Sequence, residues 1–270
     1  MKKLLTLSVS LFLAVMLHAQ PKATEGRVEF QKTQQPAAYI TVPYPDDVVE
    51  KAIEDYMSKK GVKPSSTNGY KVYRSYKLAD AHDHTSDLYF KVDRKSRSEK
   101  DLSVITMMVA KNTEDVKTRR LNDSTGNGLD GATAFLDEMV PSLEAYNLEV
   151  QIKSQEDVSK KAQKKYDDLV DDQKDLEKKM RNIEDKQAQN KKDQEKQAAD
   201  IKNNIYSDDK AMAKAQKKLR NLTDDEADYD KSLKNTMDKL EQNKRDQVAQ
   251  QNEVNKQKDI LATLVGKRKS

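Results

Sequence analysis

Between residues 142 and 265 the chain contains neither proline nor glycine, the two residues that most reliably interrupt a helix. All six prolines (21, 36, 43, 45, 64 and 141) precede this stretch, and Gly266 is the one glycine after Gly131. Such a run, rich in Lys, Glu, Asp and Gln, is expected to form long helix. Within it Tyr166, Leu169, Gln173, Leu176, Met180 and Ile183 recur at alternating spacings of three and four, which places them on one coiled-coil-type seam. The spacing continues through Gln187, Asn190, Gln194 and Gln197, a polar section unable to hold a tight dimer. Apolar seam residues return at Ile201, Ile205, Met212, Ala215, Leu219 and Leu222, then at Tyr229, Leu233, Met237, Leu240, Val254, Leu261 and Leu264. Eight residues separate Gln197 from Ile205 where a heptad wants seven, so a register slip is expected there.

Residues 154–265 carry 25 basic and 25 acidic side chains, a balance that screens itself and does not call for an anionic partner. Asp or Glu stands four residues before Lys or Arg at Asp157/Lys161, Asp175/Lys179, Glu177/Arg181, Asp230/Lys234 and Glu241/Arg245, each pair worth about 0.2–0.5 kcal/mol to a helix. Ser154 with Asp157 resembles a capping box and opens the helical region. Two sites either interrupt it or form solvated surface inside one helix: 203–208, with Asn203, Asn204, Ser207 and Asp208, and the capping-box pattern Thr223 to Glu226. An unbroken helix would span about 170 Å. A fold at the first site gives arms 154–203 and 208–265 of nearly equal length, and this hairpin is favoured because a lone helix leaves its apolar seam in water. Gly266 with Lys267, Arg268 and Lys269 reads as a stop followed by a basic tail.

Before residue 154 the pattern changes. Arg27–Lys32 and Ala38–Val42 read as strands joined by a turn at Gln34-Gln35-Pro36. Asp46 is placed to cap a helix over 47–60, with Val48, Val49, Ala52, Ile53, Tyr56 and Met57 on one stripe and Gly61 as its stop. Tyr70–Leu78, Leu88–Val92 and Leu102–Ala110 supply further strands, the last with apolar residues on both parities as in a central strand covered twice. A polar loop, 122–131, leads to a helix through Ala132, Phe135, Leu136, Met139 and Leu143, with Pro141 expected to kink or restart it. Leu148, Val150 and Ile152 alternate as a returning edge strand would. The fold class expected is an α+β domain, a small antiparallel sheet with two helices, followed by a long all-α coiled-coil-type region folded as a helical hairpin.

The start of the chain reads as a signal peptide: Met1-Lys2-Lys3, a 14-residue uncharged run from Leu4 to Leu17, and a cleavage point after Ala19. The run is too short for a membrane span, and no second one follows. The organisation expected is therefore 1–19 signal peptide, 20–153 α+β domain, 154–265 helical region and 266–270 basic tail, in a protein exported to a periplasm or beyond the cell. Removing Lys2 and Lys3 from 50 basic residues leaves 48 against 46 acidic ones, interleaved, which argues against nucleic-acid binding. The chain has no Cys, which excludes disulfides, thiolate catalysis and Cys-based zinc sites.

Asp80, His82, Asp83, His84 and Asp87 form the densest group of potential metal ligands, yet the two histidines sit two apart in an expected turn and nothing later adds a third. An exposed polar turn is the simpler reading. Asp123, Thr125, Asn127 and Gly128 match part of a calcium loop, but Ala134 stands where the bidentate Glu is required, leaving Asn127-Gly128 as a turn. Arg94, Lys95, Arg97 and Lys100 form a basic hairpin, which also protects a sheet from edge pairing. Tyr70, Tyr73, Tyr76 and Tyr89 are candidates for a groove or for plain sheet packing. No nucleophile elbow, phosphate-binding glycine loop, dinucleotide fingerprint or helical zinc motif is present, and exposed helical carboxylates are poor acid/base catalysts. No cofactor is called for.

In layout, though in no motif, the chain resembles periplasmic chaperones with helical arms on a β body and envelope adaptors with helical hairpins. The expectation is a non-enzymatic exported structural or interaction protein of the cell envelope, whose arm spaces, oligomerises or grips a protein partner. The alternatives are a small-ligand or ion-binding module and a holdase-type chaperone.

Overall fold

The computed structural model describes residues 21–78, 85–110, 127–203 and 205–269. The chain divides into two units, Met1–Val150 and Gln151–Ser270. The predicted signal segment, residues 79–84 and residues 111–126 lie outside the described part.

The first unit holds strands β1 (Thr24–Phe30), β2 (Thr33–Val42), β3 (Pro64–Thr67), β4 (Tyr70–Tyr76), β5 (Ser86–Arg94) and β6 (Ser103–Ala110), with helix α1 (Asp46–Lys59) between β2 and β3. They form one six-stranded sheet in the order β1-β2-β6-β5-β4-β3, antiparallel throughout. The expected turn at 34–36 lies three residues too late. Gln31 and Lys32 adopt positive φ (50° and 63°) and close a two-residue hairpin in which Phe30 pairs with Thr33. Pro36 instead sits in β2 opposite Arg27, outside the 38–42 stretch that pairs with β6, so its missing N–H deprives β6 of nothing. A second hairpin, closed by Asn68 and Gly69 (φ 48° and 79°), joins β3 to β4.

Helix α1 begins at Pro45, not with a side-chain cap. Pro45 is the N-cap residue and its carbonyl accepts from the Val49 N–H at 3.0 Å, while Asp46 is the first helical residue. The Asp46 carboxylate accepts instead from Arg94 Nε at 2.9 Å, which fastens the helix start to the end of β5. The helix stops as its sequence dictates: Gly61 takes φ 80°, its N–H bonds to Ser58 O at 2.9 Å and the Val62 N–H bonds to Met57 O at 3.1 Å, a Schellman closure.

Strand alternation builds a core on each side of the sheet. On one side Ala38, Ile40, Val42, Tyr73, Leu88, Phe90, Ile105 and Met107 meet Val49, Ala52, Ile53, Tyr56 and Met57 of α1. Ala132, Phe135, Leu136, Met139 and Leu143 of a second helix complete it. Phe135 makes edge contacts with Tyr56 and Tyr76 at 5.8 and 5.4 Å between ring centres. On the opposite side Phe30, Ala37, Tyr70, Val72, Tyr89, Met108 and Ala110 are buried together. Strand β6 contributes to both cores, as its apolar residues of both parities require.

That second helix, α2 (Asn127–Lys202), runs without interruption through the unit boundary, with Pro141 inside it. Three expectations are corrected here. Asn127 and Gly128 open the helix and do not form a turn, and Ser154 does not begin a helix but lies within one. The segment 148–152 is helical, not an edge strand: no breaker separates it from Leu143, and Leu148 and Ile152, four apart, suit a helix face as well as a strand. Helix α3 (Asp209–Lys269) follows. Of the two readings open for Thr223 to Glu226, the structure takes surface inside one helix: the Thr223 hydroxyl donates to Leu219 O at 3.1 Å within continuous α3. The interruption at 203–208 is present: the Asp208 carboxylate accepts from the Ala211 N–H at 2.7 Å and caps α3. None of the described helices is long and apolar enough to cross a membrane.

The helical hairpin as candidate functional site

Helices α2 and α3 return on one another as an antiparallel hairpin, and side-chain amides join them along most of its length. Gln155 Nε2 donates to Gln257 Oε1 at 2.6 Å and to Gln257 O at 3.1 Å. Gln250 Nε2 donates to Ala162 O at 3.0 Å, and Asn243 Nδ2 to Leu169 O at 3.0 Å. The steps 155, 162, 169 along α2 are thus answered by 257, 250, 243 back along α3, one heptad for one heptad. Gln247 Nε2 reaches Leu169 O at 3.2 Å and Gln173 Oε1 at 2.7 Å. Nearer the turn, Gln187 Nε2 donates to Asp230 Oδ1 at 2.6 Å. Gln194 Nε2 donates to Leu222 O at 3.0 Å and Glu226 Oε2 at 2.9 Å. Gln197 Nε2 donates to the Tyr206 hydroxyl at 2.5 Å.

Several of these donors end on backbone carbonyls of the opposite helix. Such a carbonyl already accepts its own helical N–H and offers a second lone pair, so the added bond fixes the distance and register between helices without opening either. Neutral hydrogen bonds contribute about 0.5–1.5 kcal/mol each, less than burying a Leu at the same place, so these residues add specificity of pairing more than strength. They also explain how the polar stretch 187–197 pairs at all: it closes on the returning arm of its own chain.

Burial follows the same seam. Ile183 and Val254 are buried, and Tyr166, Leu169, Leu176, Met180, Ile201, Met212, Leu219, Leu222, Leu233, Leu240 and Leu261 are half-buried. Ile205 is 63% exposed. The expected slip between Gln197 and Ile205 falls where the chain turns and not inside the coil. Met237 is exposed, and Thr236 beside it is buried, so the step from Leu233 to Leu240 passes through Thr236. Sequence reasoning left a gap between Leu240 and Val254. Continuing the three-four spacing through it names Asn243, Gln247 and Gln250, the residues that bridge the helices; looking for apolar types alone hid them.

The other candidate residues do not assemble into a reactive centre among the described residues. Asp80, His82, Asp83 and His84 lie outside the described part. Asp87, on β5, is only 6% exposed, and its carboxylate accepts from the Ser75 N–H at 3.0 Å and faces Arg74 at 3.7 Å. Ser75 has φ 54° at an irregularity in the β4–β5 ladder, so Asp87 fastens a bulge. No group of three or more His, Cys, Asp or Glu placed to hold a metal occurs among the described residues. The four tyrosines do not share one surface. Tyr70 and Tyr89 pack edge-on around Phe30 on one side of the sheet, at 5.3 and 6.0 Å, and Tyr73 and Tyr76 belong to the core on the other.

Two polar fasteners join elements of the first unit. Lys71 on β4 bonds to both Glu50, at 3.2 Å, and Glu54 of α1. Burial alone depresses the Lys71 pKa, but the two carboxylates outweigh it and the net shift is upward. Tyr56 donates to Glu138 at 3.0 Å, joined by Lys60 at 3.4 Å, which ties α1 to α2. In both fasteners each ionisable group is engaged by a neighbour on another element. Comparison with protein-family models, with curated proteins and with solved structures finds no match.

Proposed function

We propose that this is a non-enzymatic exported structural or interaction protein of the cell envelope, whose α2–α3 hairpin serves as a spacing and partner-binding arm. The single observation behind this reading is the amide-joined seam. A hairpin that satisfies its own interior over some fifty residues per arm needs no ligand or second protein to hold its form, so its outer surface is free to meet one. That surface is charged with balanced sign, which suits a protein partner recognised by local shape and charge better than an anionic polymer. Isolated apolar side chains stand among the charges, Val158 and Val248 being exposed. The signal-like N-terminus supports export, and the lack of any catalytic motif supports a binding role.

Site-specific photo-crosslinking in intact cells tests the reading. Crosslinkers placed at Val158 and Val248 on the arm, and at Lys51 on α1, should yield protein adducts from the arm positions and few from α1. Adducts confined to Lys51, or recovery of the protein in the cytosol, would overturn it.

A further inference from the structure

Stepping back by sevens along the seam of α3 from Leu233 gives Glu226, Leu219 and Met212, all at least half-buried, and then Ile205, which is 63% exposed. Ile205 therefore carries the residue type and the heptad position of a seam residue without a seam to occupy. Among the described residues its own hairpin provides none at that layer. Counting on from the pairs 155/257, 162/250 and 169/243, Ile201 falls opposite the start of α3 near Met212 and Ile205 opposite Ser207 or Asp208, only two or three residues along the same turn. A covering residue must come from elsewhere.

Resting on the reading of the hairpin as an association element, we propose that the partner at this end is a second copy of the chain, with α2 of each copy paired to α3 of the other. Once the connection between the helices is straight, two chains lying antiparallel reproduce the seam bonds between the arms, the Gln197–Tyr206 bond across the turn excepted, now between molecules: Gln155 with Gln257, Gln250 with Ala162, Asn243 with Leu169, and Gln194 with Leu222 and Glu226. The established interface then continues through the former turn, and Ile205 of both copies enters it near the two-fold axis. Exchange sacrifices the Asp208 cap and brings that carboxylate towards the seam, so the closed hairpin prevails in dilute solution and the exchanged dimer grows with concentration.

The chain contains no cysteine, which makes a direct test simple. The full chain carrying Gln187→Cys and Asp230→Cys, whose parent side chains touch at 2.6 Å, is refolded at a series of concentrations, treated with a short bis-maleimide and run on a denaturing gel. A closed hairpin gives an internally linked monomer; an exchanged pair gives a covalent dimer. While monomer predominates, a tenfold rise in refolding concentration should raise the ratio of dimer to monomer about tenfold. Adding Ile205→Asp should lower that ratio about tenfold or more while leaving the internal link intact. Internally linked monomer alone at every concentration overturns the exchange and leaves the hairpin standing. Dimer insensitive to Ile205→Asp overturns the role of that residue, and absence of both products contradicts hairpin and exchange together.

Discussion

The Tyr39 hydroxyl donates to the backbone carbonyl of Arg27 at 2.6 Å, with the Tyr39 ring lying over Gly26. In the β1–β2 hairpin the residues beside the two-residue turn, Phe30 and Thr33, exchange hydrogen bonds, so by alternation Arg27 turns its carbonyl outward, to the free edge of the sheet. Tyr39 thus reaches from the second strand across the first and occupies an acceptor that another strand would use. The opposite edge, β3, is four residues long and starts with Pro64, so both edges are poor templates for pairing. A Cβ at Gly26 would stand 2.7 Å from Tyr39 Cε2 and displace the ring.

Gly26→Ala should therefore lower the urea midpoint by the equivalent of about 1–2 kcal/mol and raise self-association, even though Ala suits a strand better than Gly. Tyr39→Phe should cost only about 0.5–1 kcal/mol but produce the same self-association, seen by light scattering. Equal scattering from wild type and both variants would refute the guarded edge.

Tyr73 poses the opposite situation. Its ring is fully buried beneath α1, and its hydroxyl finds no hydrogen-bond partner among the described residues. Burial, with Glu54 and Glu50 nearby, pushes the phenol pKa well up. Tyr73→Phe should be neutral or stabilising by up to about 1–2 kcal/mol, whereas Tyr56→Phe, which loses the bond to Glu138, should destabilise. A Tyr73→Phe loss larger than that of Tyr56→Phe would show that the hydroxyl is satisfied after all.

Much of this domain was legible because local chemistry and tertiary packing agree in it. Gly61 ends α1, the apolar stripe of α1 faces the core, and β6 is central because both its faces are apolar. The misplaced elements show where the signals are degenerate. Pro36 looks like a turn, yet the turn is made by Gln31 and Lys32, ordinary residues driven to positive φ by the strands they join. Asn68-Gly69, a strong short hairpin signal, stands without support from its flank because β3 has four exposed residues and no apolar alternation to announce it. In the hairpin, apolar periodicity located the seam, and the turn at 203–208 was marked by its capping residues. The amide bridges were not foreseen, because Gln and Asn at seam positions read as gaps until the opposite helix shows what they reach.

Lys71 carries a pH dependence whose direction is fixed by its neighbours. Its folded pKa is raised above the ordinary 10.5, so the stabilisation from the Glu50 and Glu54 contacts is complete below about pH 10.5 and is lost as pH rises through the folded value. Wild type should lose stability across that alkaline window by more than Lys71→Met does, when the two are compared by denaturation at pH 8 and above pH 11. Parallel loss in both proteins would remove the fastener from the account.

Replacing a bridging amide separates strength from specificity. Asn243 is buried and bonds across to Leu169 O. Asn243→Leu should raise the thermal midpoint of the helical signal, since an apolar seam residue contributes more than one neutral hydrogen bond, yet broaden the distribution of oligomers because register is less defined. Asn243→Ala, which removes the bond and leaves a space, should lower the midpoint. A uniform, more stable product from Asn243→Leu would mean that the amides do not select the pairing.

The central claim, that the breaker-free half of the chain closes on itself through these amides, is most directly tested by a distance. Spin labels at residues 187 and 230, in protein kept dilute so that the closed hairpin prevails, should lie less than about 20 Å apart, since the parent side chains are in contact. A continuous helix would hold the same positions about 65 Å apart at 1.5 Å per residue, and a distribution centred there would contradict the account.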